Sequence, residues 1–116
     1  MNEHYKPTPE IQESIAMRVA THAQAKYSSF SLDPLTIIAI INCLIAVTRL
    51  LYMCYFTDKA VAKSIKNNSL LHQIVLKREI RKQFKNKDER KAMYGAMLDV
   101  SNGLSEREFS DLLESI

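Results

Sequence analysis

Apolar residues dominate one stretch of this chain, residues 35–56. Its polar interruptions are Thr36, Asn42, Thr48 and Arg49. The stretch is longer than a typical β-strand and contains no turn-forming residue. Asp33 followed by Pro34 is a typical helix start, because a carboxylate caps free backbone N–H groups and proline suits the first helical position. The pattern therefore predicts one long apolar helix over residues 34–56.

Shorter segments with helical spacing of apolar residues lie on both sides of this helix. An alanine-rich helix is predicted from Thr8-Pro9-Glu10 to about Ser28, with the apolar stripe Ile11, Ile15, Val19, Ala23 and Tyr27. A short basic helix begins at Thr57-Asp58, and another helix spans about residues 70–85. Near the start of the helix over residues 70–85, the residues expected to be buried are Leu70, Leu71, Ile74, Val75 and Leu76.

Capping signals predict two more helices near the C-terminal end. Asn86 to Glu89 resembles a capping box, and the helix that it opens is expected to end at Gly103 as a left-handed cap. Ser105 and Glu108 form a clearer capping box. The apolar face that follows has i, i+3, i+4, i+7 spacing and comprises Phe109, Leu112, Leu113 and Ile116.

Glycine and proline are scarce, with two and three copies in 116 residues. So few helix breakers favour long helices over a turn-rich β fold. We therefore expect an all-α fold of five to six helices around one long apolar helix, in a single helical domain. Its expected parts are a flexible N-terminal arm (1–8), an apolar central helix (34–56), a basic segment (59–91) and acidic C-terminal helices (92–116).

Charge is distributed unevenly along the chain, although the net charge is only +3 at pH 7. Residues 1–58 contain four Lys/Arg and five Asp/Glu, which gives −1. Residues 59–91 contain eleven Lys/Arg and three Asp/Glu, which gives +8. Residues 92–116 contain one Lys/Arg and five Asp/Glu, which gives −4. This polarity predicts a basic contact surface comprising Lys77, Arg78, Arg81, Lys82 and Lys85.

Three interpretations of the basic stretch from Lys77 to Lys91 stay open. It is a solvated helix face, a contact for nucleic-acid phosphates or acidic lipid headgroups, or a docking surface for an acidic partner. The acidic last helix of another copy is such a partner. Phe84 is the one aromatic residue between Lys77 and Lys91, and no recognition-helix motif is present.

Small and polar residues fall on one seam of the apolar helix, at spacings of 3, 4, 3 and 4 residues. The α-helical seam comprises Ala39, Asn42, Ala46, Arg49 and Met53. Small residues let another helix approach closely, and an asparagine side chain can form hydrogen bonds across such a contact. The seam is therefore the predicted interface with a partner helix.

The apolar helix also has three interpretations: a core helix within one domain, a helix that packs in a larger assembly, or a membrane span. Eleven Leu, Ile, Val or Phe residues favour membrane insertion by about 3–7 kcal/mol. Asn42 and Arg49 oppose insertion, the arginine by at most ~3 kcal/mol. The length matches the ~20 residues that span a bilayer. Insertion is thus borderline favourable.

No catalytic motif is visible in the sequence. His4, His22 and His72 lie in different predicted elements, and no pair of histidines or cysteines has metal-ligand spacing. A glycine-rich phosphate loop and a nucleophile-elbow motif are also missing. We therefore expect a non-enzymatic protein with no catalytic site, cofactor or metal.

The two cysteines bear on the cellular compartment. Cys43 and Cys54 lie in one predicted helix, about 16 Å apart at ~1.5 Å per residue, and cannot form a disulfide within one chain. Both are expected to be small core hydrophobes in a reducing compartment. The charged residues before Pro7 are not expected to form a secretory signal.

The order of these pieces resembles small α-helical virion proteins of tailed bacteriophages, structural or ejected. The resemblance covers residues 33–116 and is carried by Asp33-Pro34-Leu35-Thr36-Ile37-Ile38 and Ser105-Glu106-Arg107-Glu108-Phe109. It implies a multi-copy particle component whose partners are other copies of itself and other virion proteins. We therefore expect a structural or assembly protein in the virion or host cytoplasm. The alternative is a single-span membrane protein, such as a lysis or ejection-channel factor.

Overall fold

The computed structural model describes residues 9–26 and 32–116, and those residues form six α-helices without a β-strand. The helices are α1 (Pro9–Lys26), α2 (Pro34–Tyr55), α3 (Asp58–Lys66), α4 (Leu70–Gln83), α5 (Lys87–Asn102) and α6 (Glu106–Glu114). The all-α expectation is confirmed for this part of the chain. The predicted arm at residues 1–8 and the predicted end of α1 near Ser28 lie outside the described residues.

Side-chain caps begin α2 to α6 where the sequence indicates helix starts. The Asp33 carboxylate accepts the N–H of Thr36 at 2.8 Å, and Thr57, Ser69 and Asn86 cap α3, α4 and α5 in the same way. At α6 the box is reciprocal, since Glu108 N–H donates to Ser105 Oγ and Ser105 N–H donates to Glu108 Oε1. Each cap satisfies backbone donors that a helix start leaves unpaired.

Two helix ends differ from the sequence-based expectation. Gly103 has φ −91° and ψ −3°, which is right-handed, so the predicted left-handed cap is wrong. Its N–H donates to the carbonyls of Asp99 and Val100, and this continues the last helical turn. Helix α4 ends at Gln83, because Phe84 turns to an extended backbone and buries its ring. Lys85 therefore follows α4 and does not lie on it.

Buried apolar residues from all six helices form one contiguous core. Helix α2 packs on α1, α3 and α4, while α5 packs on α1, α3 and α4, and α6 packs on α1 and α3. The predicted stripe of α1 is confirmed at Ile15, Val19 and Ala23. The core side of α2 includes Ile40 and Leu51, both fully buried.

Helix α4 was expected to be buried nearly all round at its start, and this is wrong. Val75 and Leu76 are buried, but Leu70 is 72% exposed and Ile74 is 56% exposed. The buried residues of α4 all lie on the side that packs against the bundle. Leu70 and Ile74 are one turn apart on the opposite side, which no described helix covers.

Helix α2 is likewise covered on one side only. Its outward residues, together with its C-cap, form a stripe that we call the open face: Leu35, Ile38, Asn42, Arg49, Met53 and Phe56. Within one copy, α2 therefore lies against the bundle with one side free, and the other helices do not enclose it.

Candidate functional site

The open face is the largest departure from ordinary apolar burial in the described structure. Phe56 is 79% exposed, Leu35 77% and Met53 71%. Spacings of 3, 4, 7, 4 and 3 residues place the six members of the open face on one side of α2. Such a stripe repeats every three to four residues, as in helices that pack against a partner helix.

The predicted seam runs along this open face. Asn42, Arg49 and Met53 are exposed, whereas Ala39 and Ala46 are half-buried. Ala39 also packs against the core of its own chain. The structure thus places the five seam residues together on the accessible side of α2, and their role as an interface stays a prediction.

Phe56 is a functional candidate that the sequence analysis did not single out. It is the C-cap of α2, with φ 67° and ψ −12°, and its N–H donates to the Tyr52 carbonyl at 3.0 Å. A left-handed backbone costs about 1–2 kcal/mol for a residue with a Cβ atom, and glycine usually occupies this position. Here the position instead holds a large exposed ring, which is part of the open face.

One of the two cysteines is buried and the other is exposed, although both were expected to be core residues. Cys43 is a core residue, and burial raises the pKa of its thiol to about 12, with a further contribution from the negative charge of Glu79. Cys54 is exposed, because it follows Met53 on the outward side of α2. The expectation of a core position is therefore wrong for Cys54.

The five predicted basic residues are all exposed, and their role as a contact surface stays a prediction. Lys77 and Arg81 line a cleft of about 330 Å³ between α4 and α5, together with residues from the start of α5. Lys82 pairs with Glu79 at 3.3 Å on its own helix. We call the lining of this space the basic cleft: Lys77, Ile80, Arg81, Lys87, Arg90, Lys91 and Tyr94.

The α5 cations of the basic cleft lie within the predicted basic stretch from Lys77 to Lys91, but they were not among the named contact residues. Lys87, Arg90, Lys91 and Tyr94 follow i, i+3, i+4, i+7 spacing and therefore share one face of α5. This periodicity is the signal that could have found them. Phe84 is buried, so the aromatic residue at this surface is Tyr94.

A polar contact between α1 and α5 was also missed. His22 Nε2 lies 2.8 Å from Asp99 Oδ2, and the same oxygen accepts from Lys26 at 3.3 Å. The hydrogen bond from His22, and then that from Lys26, lower the pKa of Asp99. Both members of the His22–Asp99 pair are more than a third exposed. The contact therefore joins α1 to α5 but contributes little to the free energy of unfolding.

Helix α2 is also the candidate for a membrane span. The most apolar 18-residue window of this 22-residue helix has a mean hydropathy of 2.1, and α2 alone in the described part is long and apolar enough to cross a bilayer. Inside the bundle, 39% of its most apolar window is buried. Only the length and composition of α2 indicate a membrane span, and core helices of soluble proteins share both properties.

No described group of three or more His, Cys, Asp or Glu side chains is arranged to hold a metal ion. No family model, curated protein or solved structure matches this chain. The fold and the exposed surfaces define the class of protein as a small helical bundle. It has the open face on α2 and the basic cleft between α4 and α5. The resemblance to bacteriophage virion proteins stays a prediction.

Proposed function

We propose that this chain is a non-enzymatic structural protein that assembles in several copies through α2. The observation that carries the proposal is the open face, which exposes two apolar pairs at the two ends of α2, Leu35 with Ile38 and Met53 with Phe56. Exposed apolar patches mark interaction sites in soluble proteins. The partner that we propose is α2 of a second copy.

Energetics support a helix-to-helix contact. Removing a Leu, Ile, Met or Phe side chain from water stabilises by about 1.5–3 kcal/mol. Each copy offers four such side chains, Leu35, Ile38, Met53 and Phe56. Asn42 and Arg49 interrupt this apolar stripe, and polar residues at seam positions fix the register and number of packed helices at some cost in affinity. In such an assembly α2 becomes the central helix that a single copy lacks.

A virus particle is the proposed setting. Support comes from the order of helices over residues 33–116, because both motifs behind the resemblance are capped helix starts, at Asp33 and at Ser105. Particle components are present in many copies, so each copy buries its open face against another. The proposed location is the virion or the host cytoplasm.

The second candidate is a single-span membrane protein, and the hydropathy of α2 favours it. Packing within the bundle opposes it. Seven residues of α2 are buried against the bundle. A bilayer position would remove α2 from α1, α3 and α4 and expose the apolar residues that pack on it.

Light scattering after gel filtration, without detergent and at micromolar concentration, tests the proposal. We expect an oligomer for the native chain and a folded monomer for Ile38→Asn with Met53→Gln. Met17→Gln is the matched control, because it makes the same change at an exposed methionine of α1. Thiol labelling adds a local readout, since Cys54 should be protected in the oligomer and reactive in the monomeric variant.

Two results would count against assembly through α2. A compact native monomer with a reactive Cys54 would show that the open face is uncovered. A native chain that pellets with membranes and needs detergent for extraction would favour the membrane-spanning alternative.

A further inference from the structure

The basic cleft concentrates positive charge from two helices into one concave space. Three cations come from α5, Lys87, Arg90 and Lys91, and two from α4, Lys77 and Arg81. No acidic residue lines the cleft, and none of these five forms an ion pair within the described residues. The chain elsewhere pairs cations with carboxylates, as in Arg18–Glu108 and Lys82–Glu79. The cleft therefore has an excess of positive charge that an anionic ligand would neutralise.

Two of the five cations are held in place before any ligand arrives. Arg90 Nε donates to the Phe84 carbonyl at 2.7 Å, which fixes the guanidinium beside the end of α4. Lys77 Nζ lies 5.0 Å from the centre of the Tyr94 ring, within range of a cation–π contact. Prior positioning lowers the entropy lost when a ligand binds.

The residues around the basic cleft argue against two of the anionic ligands that it could bind. No exposed large apolar side chain lines it, and Ile80 is buried, so it lacks the groups that surface-bound proteins insert into a lipid headgroup layer. The acidic α6 of another copy is also a poor fit. Glu108 pairs with Arg18 of its own chain, and Glu106 lines a different cleft together with Lys59, Lys63 and Lys66.

We propose that the basic cleft binds the phosphate backbone of nucleic acid, independently of base sequence. A phosphodiester chain presents successive negative charges to cations on both walls, which a single small anion does not. Tyr94 is half-buried and Lys77 lies over its ring, so the ring is not free to stack on a base. Binding is therefore electrostatic and depends steeply on salt. This site is separate from the open face of α2.

Fluorescence anisotropy with a labelled 20-nucleotide oligothymidylate, from 50 to 300 mM NaCl, tests the proposal. Five phosphate contacts predict a slope of about −3.5 in log K against log salt, at about −0.7 per contact on a single strand. Arg81→Gln with Lys91→Gln should reduce the slope to about −2 and weaken binding at least about tenfold at low salt. Both side chains are exposed, so the variant should keep the native melting temperature.

Lys59→Gln with Lys63→Gln is the matched control, because it removes the same charge from exposed lysines of α3 outside the cleft. Its affinity should stay within twofold of native. Three results would overturn the proposal: no binding at 50 mM NaCl, equal loss in cleft and control variants, or tighter cleft-dependent binding to phosphatidylserine vesicles than to the oligonucleotide.

Discussion

His72 lies almost fully inside the bundle, at 3% exposure, beside Thr48 and Ser101 in a cavity of about 20 Å³. Its Nδ1 has no hydrogen-bond partner within the described structure. Burial lowers the pKa of the imidazole to about 4, because the charged form loses its hydration. The neutral form is therefore the one that the fold accepts.

Acid should destabilise the protein through this residue. An unfolded histidine has a pKa of about 6.5, so between about pH 6.5 and pH 4 the unfolded chain binds a proton that the folded chain does not. Stability falls as pH falls through that window, by about 3 kcal/mol, and then levels off. We expect His72→Leu to lose this fall, measured as melting temperature against pH. Asp99 and Glu108 remain in both proteins and supply a common acid response. Equal pH profiles for the two proteins would contradict the assignment.

At the scale of single elements, the end of α2 combines a strained backbone with an exposed ring. Phe56→Gly should relieve the left-handed conformation and stabilise the fold by up to about 1 kcal/mol, while removing a ring of the open face. We therefore expect a higher melting temperature, measured in the Ile38→Asn/Met53→Gln monomer, and weaker self-association of the otherwise native chain.

Phe56→Ala separates the two effects, because alanine keeps the Cβ atom and its strain but removes the ring. It should weaken association to the same degree without the gain in stability. If neither variant alters oligomer size, then Phe56 takes no part in assembly and its exposure has another cause.

At the scale of the whole molecule, the two proposed surfaces use different helices. The open face belongs to α2, whereas the basic cleft lies between α4 and α5. An oligomer joined through α2 would present several clefts at once. Linked sites raise the apparent affinity for a ligand long enough to reach more than one of them, by about 10²–10⁴.

This linkage predicts a dependence on ligand length. The native chain should bind a 60-nucleotide oligothymidylate at least about tenfold more tightly than a 20-nucleotide one, after correction for the number of sites. The monomeric variant Ile38→Asn/Met53→Gln should lose that advantage and keep its affinity for the shorter strand. An unchanged ratio in the variant would show that the clefts act independently of assembly through α2.

The sequence by itself determined the helical class and most helix starts, because both depend on local chemistry. Scarce glycine and proline, helical spacing and capping side chains act within a few residues of one another. The capping box at Ser105 and the cap at Asp33 were therefore predictable. The end of α4 was not, because Phe84 leaves the helix and buries its ring in the common core.

Tertiary structure alone decided which apolar residues are covered. Leu70 and Ile74 look like core residues in the sequence but face outward, because packing covers one side of α4 only. The basic cleft has the same origin. Lys77 and Arg81 meet Lys87, Arg90 and Lys91 only because α4 and α5 pack side by side, and no local pattern determines that contact. Sequence periodicity reports the face that a residue occupies on its own helix, whereas the neighbour of that face depends on how the whole chain packs.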